Sequence, residues 1–234
     1  MEYSILCTEC IPYSDEQFTI NVSPNNDGVY NVTCPHGHKF KLDILSHHFQ
    51  ILFENGLSAL NDNYYIEAIS SFTACYERFQ EYFIKIVLLS RKISLSEYSK
   101  TWKNVSKHSE RQLGAFIFIY LNEFGIGPIL IAEKNTTLRN NVIHKGYFPT
   151  KEECIYYGNN VLEVIRPIIK LLKVNDIYDK ELISSKNASG NFENSEIRHH
   201  YTPYQIFAIN RPINSTDEKS VLDFLNDNKK QSIT

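Results

Sequence analysis

Two groups of residues in this chain could do chemistry. The first is the stretch Leu138-Arg139-Asn140-Asn141-Val142-Ile143-His144-Lys145-Gly146. An imidazole titrates near neutrality and can accept or hand over a proton. A guanidinium grips a phosphate with two prongs and offsets negative charge developing on its oxygens. An asparagine can orient either group. Arg139, Asn140 and His144 supply that set, and Asn141 and Lys145 stand beside them as candidates for substrate binding. Such a set suits metal-independent cleavage of RNA, in which the 2′-hydroxyl attacks the neighbouring phosphate. On an ideal helix, residues five apart project about 140° from one another. One side chain must therefore reach round, or the last turn must unwind beside Gly146, or two copies related by a two-fold axis must pool their residues. The plainer account is that His144 and Lys145 simply suit a helix C-terminus, where the dipole favours cations.

The second group is Cys7-Thr8-Glu9-Cys10 with Cys34-Pro35-His36-Gly37-His38. Zinc takes four nitrogen or sulfur donors in a tetrahedron, and two knuckles of this kind supply them. Cys7, Cys10 and Cys34 fill three positions. His38 or His36 fills the fourth, with His38 preferred because Gly37 lets the backbone curl back toward the metal. Four protein ligands close the site, so its expected role is structural rather than catalytic. The remaining two of the five cysteines, Cys75 and Cys154, fall inside helical patterns, which argues against a secreted disulfide framework.

The elements that would position these groups follow from periodicity. Phe18–Val22 and Val29–Thr33 read as strands, and the turn-rich residues 24–28 between them predict a β-hairpin. From Leu42 the pattern turns helical, with Leu45, Phe49, Leu52 and Gly56 on one face, extended by Leu57 and Leu60. Tyr65, Ala68, Ile69, Phe72, Tyr76, Phe79, Phe83, Ile86 and Leu89 form the most regular stripe, spaced by threes and fours over about seven turns. A polar connector over 91–108, with room for a short helix, leads to a helix from Leu113 to Phe124. Pro128 is placed at the first position of the next helix, which carries the Arg/His stretch and stops before Gly146, a residue suited to the left-handed C′ position. Thr150 and Glu153 form a capping box for a long helix bearing Tyr157, Val161, Val164, Ile165, Ile168 and Leu172. Ser184–Ser195 reads as a loose linker, Tyr204–Ile209 as a strand, Val221–Leu225 as a short helix, and Arg198-His199-His200-Tyr201 as a loop. The expected organisation is a zinc-ribbon-like module at 1–41, a helical bundle at 42–183 and a polar tail at 184–234. The fold class is mainly α: an antiparallel helical bundle with a small N-terminal β-hairpin zinc ribbon.

Bulk properties bound the partners. The chain has 234 residues, 42% apolar and 13% aromatic, enough for a real core. A net charge of −3 gives no global basic field, so RNA would be met through a local patch. The most apolar window, Leu113–Ile131, contains Asn122, Glu123, three glycines and Pro128 and does not read as a membrane span. The N-terminus lacks the basic and apolar regions of a signal peptide. A soluble, cytoplasmic protein is expected.

Arg139-Asn140-Asn141-Val142-Ile143-His144-Lys145-Gly146, followed by Tyr147-Phe148-Pro149 and the capped helix, resembles the signature of the HEPN superfamily. The likeness covers roughly residues 42–175. It implies an all-helical bundle with an Arg-x4-6-His motif, and in many members a metal-independent endoribonuclease of toxin–antitoxin, phage-defence or RNA-processing systems. By this likeness Arg139 and His144 form the catalytic pair, Asn140 is the polar accessory, and Glu77 matches an acidic position on the second helix. It implies RNA as substrate, a homodimer whose two motifs form one cleft, an antitoxin protein as a further partner, and no cofactor for the reaction. Some members are inactive, which gives the alternative of a non-catalytic module that binds RNA or protein or serves dimerisation.

Overall fold

Alternation of apolar and polar residues builds the N-terminal unit. Phe40, Leu42 and Ile44 are buried while Lys39 and Lys41 face solvent, the period of two that a strand requires. The computed structural model describes residues 2–7, 9–10, 17–23, 25–26, 28–44, 46–184, 197–200, 206–209 and 212–231. The chain divides into two units, one formed by Met1–His47 with Lys186–Gln205 and the other by His48–Ser185 with Ile206–Thr234.

In the first unit β1 (Glu2–Leu6) pairs antiparallel with β2 (Gln17–Asn21). Separately, β3 (Val29–Thr33) pairs antiparallel with β4 (Lys39–Ile44). The hairpin expected between residues 18–22 and 29–33 is therefore not formed, since the two strands belong to different sheets. Each pair instead flanks one cysteine knuckle, Cys7–Cys10 after β1 and Cys34–His38 between β3 and β4. The Cys10 amide donates to the Cys7 carbonyl at 2.9 Å, and the Gly37 amide donates to that of Cys34 at 2.9 Å. Gly37 adopts φ 89°, where a side chain would be strained. A further strand, β5 (Ile197–His200), runs parallel to β4, where a loop was expected.

The second unit is helical. Its elements are α1 (His48–Asn61), α2 (Tyr65–Ser90), α3 (Leu95–Val105), α4 (Ser109–Phe124), α5 (Glu133–Lys145), α6 (Lys151–Lys173), α7 (Asp179–Ser184) and α8 (Val221–Gln231). The first helix starts at His48 and not at Leu42, because Leu42 belongs to the alternating pattern of β4. Helix α2 is the axis, packed against α1, α4, α5 and α6. Its apolar stripe is buried as spaced, with Ala68, Ile69, Phe72, Phe79, Phe83 and Ile86 inaccessible to solvent. The Phe72 ring fills room left by two glycines. A Cβ added to Gly56 would stand 2.5 Å from that ring, and one added to Gly158 would stand 3.0 Å from it.

Part of the C-terminal segment completes this core. Phe207 packs on Phe49 and Phe53, with ring centroids 5.4 and 5.5 Å apart. In α8, Val221, Phe224 and Leu225 are buried, and the Val221 amide donates to Asn159 Oδ1 at 2.8 Å. The expected linker lies outside the described residues apart from Ser184. Of the expected strand Tyr204–Ile209, the first two residues also lie outside them, and Ile206–Ile209 form a bend and turn. Among the described residues no helix is long and apolar enough to cross a membrane.

Candidate functional site

Helix α5 carries the Arg/His stretch, and its neighbours fix its position. Only Asn135 and Val142 on it are buried. Apolar burial therefore contributes little, and polar contacts hold the ends. The Ala132 amide and Asn135 Nδ2 both donate to Asn160 Oδ1, at 2.9 and 3.0 Å. Asn160, on α6, thus caps the start of α5 from outside the helix. For that reason the helix begins at Glu133 and not at Pro128, which stays in the irregular connector. At the other end Gly146 takes φ 67°, as expected, and its amide donates to the Asn141 carbonyl. The next helix starts on the predicted capping box: Thr150 Oγ1 accepts from the Glu153 amide at 3.2 Å, and Glu153 accepts from the Thr150 amide at 2.8 Å.

These constraints set α5 along an open cleft of about 540 Å³. Arg139, Asn140, His144 and Lys145 line it, with Glu77 on the facing wall. Arg139 Nη2 donates to Glu77 Oε1 at 3.1 Å, and Nη1 donates to Asn140 Oδ1 at 2.9 Å. The ion pair is partly open to water, with side-chain exposures of 24% and 28%. A guanidinium carries five N–H donors, so these two bonds leave donors for a phosphate. His144 is exposed to solvent. The five-residue spacing thus brings both groups to one cleft without unwinding the helix before Gly146. Asn141 is separated from the others and lines a second hollow on a different side of α5.

Sequence reasoning passed over several cleft residues. Thr73, Tyr76 and Gln80 from α2, Glu110 from α4 and Tyr157 from α6 also line it. Thr73 and Tyr157 hydrogen-bond through their hydroxyls at 2.9 Å. Burial pushes the Tyr157 phenol above its ordinary range, against the pull of Thr73 and of the Arg139 charge. Burial likewise pushes Tyr76 up to about 12. The available signal was Thr73, Glu77 and Gln80, a polar row at spacings of four and three beside the apolar stripe of α2.

The cysteine cluster forms a second candidate site, within the first unit. Cys7, Cys10, Cys34 and His38 place one donor atom each within 4.8 Å of one another and could bind a metal such as zinc. Tetrahedral zinc, at its usual bond lengths, holds two sulfurs about 3.8 Å apart and a sulfur and nitrogen about 3.6 Å apart. Here Cys10 and Cys34 Sγ are 3.8 Å apart. His38 Nδ1 lies 3.6, 3.2 and 3.5 Å from the sulfurs of Cys7, Cys10 and Cys34. His36 Nδ1 approaches Cys10, at 3.4 Å, but stands outside the four-donor group. The geometry therefore favours His38. Burial and the adjoining Cys7 and Cys34 thiols push Cys10 up to about 12. A bound cation would reverse that preference by favouring the thiolate.

Comparison of the chain with protein-family models, with curated proteins and with solved structures finds no match, so the functional reading stands on the geometry of these residues.

Proposed function

We propose that this protein is a metal-independent endoribonuclease of the HEPN type, acting as a homodimer in a toxin or phage-defence role. The observation that carries the proposal is the sharing of one solvent-open cleft by Arg139, Asn140 and His144, with Glu77 anchoring the guanidinium. A phosphate lying in that cleft meets the remaining donors of Arg139. His144 takes the proton of the 2′-hydroxyl. The 2′-oxygen then bonds to phosphorus, and the bond to the 5′-oxygen breaks. The leaving oxygen takes its proton from the imidazolium of a second copy, and the product ends in a 2′,3′-cyclic phosphate. Asn140 accepts from Arg139 and keeps its plane fixed. Lys145 adds positive charge at the mouth. A structural zinc ion on Cys7, Cys10, Cys34 and His38 holds the N-terminal unit together, an antitoxin protein is a further partner, and the protein acts in the cytoplasm.

A second reading has one observation in its favour. Arg139 is already engaged by Glu77 and Asn140, as a residue of a fixed RNA-binding or protein-binding module would be. Incubation of the protein with RNA in the presence of a chelator separates the two. Fragments carrying 2′,3′-cyclic ends, absent with Arg139→Ala, support the enzyme. Salt-dependent RNA binding without any turnover supports the binding module.

A further inference from the structure

Helix α5 stands between two cavities. The Arg139/His144 cleft lies on one side. On the other is a hollow of about 580 Å³, lined by Lys134, Asn135, Asn141, Tyr147, Glu152 and Tyr156 among others. Two tyrosines with rings open to solvent mark it: Tyr147 is 43% and Tyr156 52% exposed. Lys134 Nζ lies 5.3 Å from the centre of the Tyr156 ring. Tyr147 donates its hydroxyl to Glu153, which also closes the capping box, so Glu153 is committed. Glu152 has no hydrogen-bond or ion-pair partner among the described residues. Asn135 is 1% exposed, yet its side-chain oxygen has no hydrogen-bond partner among the described residues. A buried amide oxygen left so is destabilising until a donor meets it.

Open aromatic rings beside uncommitted acceptors are what an unstacked nucleobase needs. Aromatic faces stack on bases, and amide and carboxylate groups read their edges. We propose that this hollow binds one unpaired base of the substrate strand, with guanine the base it fits. The exposed, uncommitted Glu152 carboxylate offers two acceptor oxygens side by side and so calls for a pair of donors. Guanine presents N1–H and an exocyclic amine on one edge, whereas adenine, cytosine and uracil each present a single donor group there. Asn141 can donate its amide to the guanine carbonyl oxygen. The substrate class rests on the ribonuclease reading; the base subsite then sets sequence preference from across the helix.

Titration of the full chain with GMP, AMP, CMP and UMP by calorimetry tests this. The four share ribose and phosphate, so differences among them report the base. GMP is expected to bind about tenfold tighter than the others. Tyr156→Ala should weaken GMP about tenfold, as loss of a stacking partner does. Glu152→Gln, at an exposed position, should abolish the preference for guanine. His144→Ala should change neither result. Equal binding of all four, binding of none, or GMP affinity indifferent to both Tyr156→Ala and Glu152→Gln overturns the proposal. If GMP binds as described but no RNA is cut, the subsite stands and the ribonuclease reading falls. If RNA is cut and both variants cut the wild-type positions at the wild-type rate, the subsite alone falls.

Discussion

Removing metal from the Cys7/Cys10/Cys34/His38 cluster should unfold the N-terminal unit. The described part of that unit buries few apolar side chains: Ile5, Val32, Phe40, Leu42 and Ile44 besides the three cysteines. Its strands have five or six residues at most. Structural zinc sites contribute on the order of 10–16 kcal/mol, as much as the whole net stability of a typical domain, about 5–15 kcal/mol. The N-terminal unit should thus lose its strands when the ion is stripped, and Cys34→Ser should have the same effect. Elemental analysis should first find one zinc per chain. Hydrogen exchange then follows the amides of β3 and β4, paired in register from Val29↔Asp43 to Thr33↔Lys39. They should exchange freely after chelation, while those of α2 and α6 stay protected by their own core. Protection of β3 and β4 that survives complete loss of metal would refute the reasoning.

Three further outcomes follow from particular contacts. Glu77→Ala should lower cleavage kcat/KM about 10- to 100-fold by freeing Arg139 from its position, yet shift stability by only about 1 kcal/mol, since the pair is a quarter exposed; parallel rate and melting measurements separate the two effects. Gly56→Ala should drive a methyl into the Phe72 ring and cost about 1–3 kcal/mol, read from urea unfolding; an unchanged midpoint would show that the ring does not fill this space. Burial opposes ionisation of Glu123, but hydrogen bonds from Arg91 and Tyr178 outweigh it and hold the carboxyl below its ordinary value. Its stabilising contribution is therefore present above about pH 4.3 and lost as pH falls through the lowered value; Glu123→Gln should flatten the acid limb of a stability–pH curve, and an unchanged limb would remove this group from the account.

The stretches that sequence resolves best are those where one physical signal dominates. The α2 stripe, the left-handed Gly146 and the Thr150/Glu153 box are each local, and each lies where its residues say. The cysteine knuckles were legible as candidate ligands, and the fold does bring Cys7, Cys10, Cys34 and His38 together, but they were not legible as turns, so the strand pairing was misassigned. The start of α5 was hidden because its cap, Asn160, lies 28 residues from the Ala132 amide that it accepts from. Phe207 belongs to the core, but the apolar run expected as a strand there is a bend and turn over 206–209, set by packing on Phe49 and Phe53 that no local period encodes; the short helix expected at Val221–Leu225 is present within α8 and buries Phe224. Within the cleft, Arg139 and His144 stood out by type. Thr73, Tyr76 and Tyr157 did not, because they sit on helices whose other residues are plainly structural.

The most direct test of the central claim is a single-turnover cleavage assay on RNA with chelator present, comparing wild type with His144→Ala. The wild type should yield fragments with 2′,3′-cyclic phosphate ends. The variant should yield none, with helix content and zinc stoichiometry unchanged. Cleavage by His144→Ala at the wild-type rate would contradict the account.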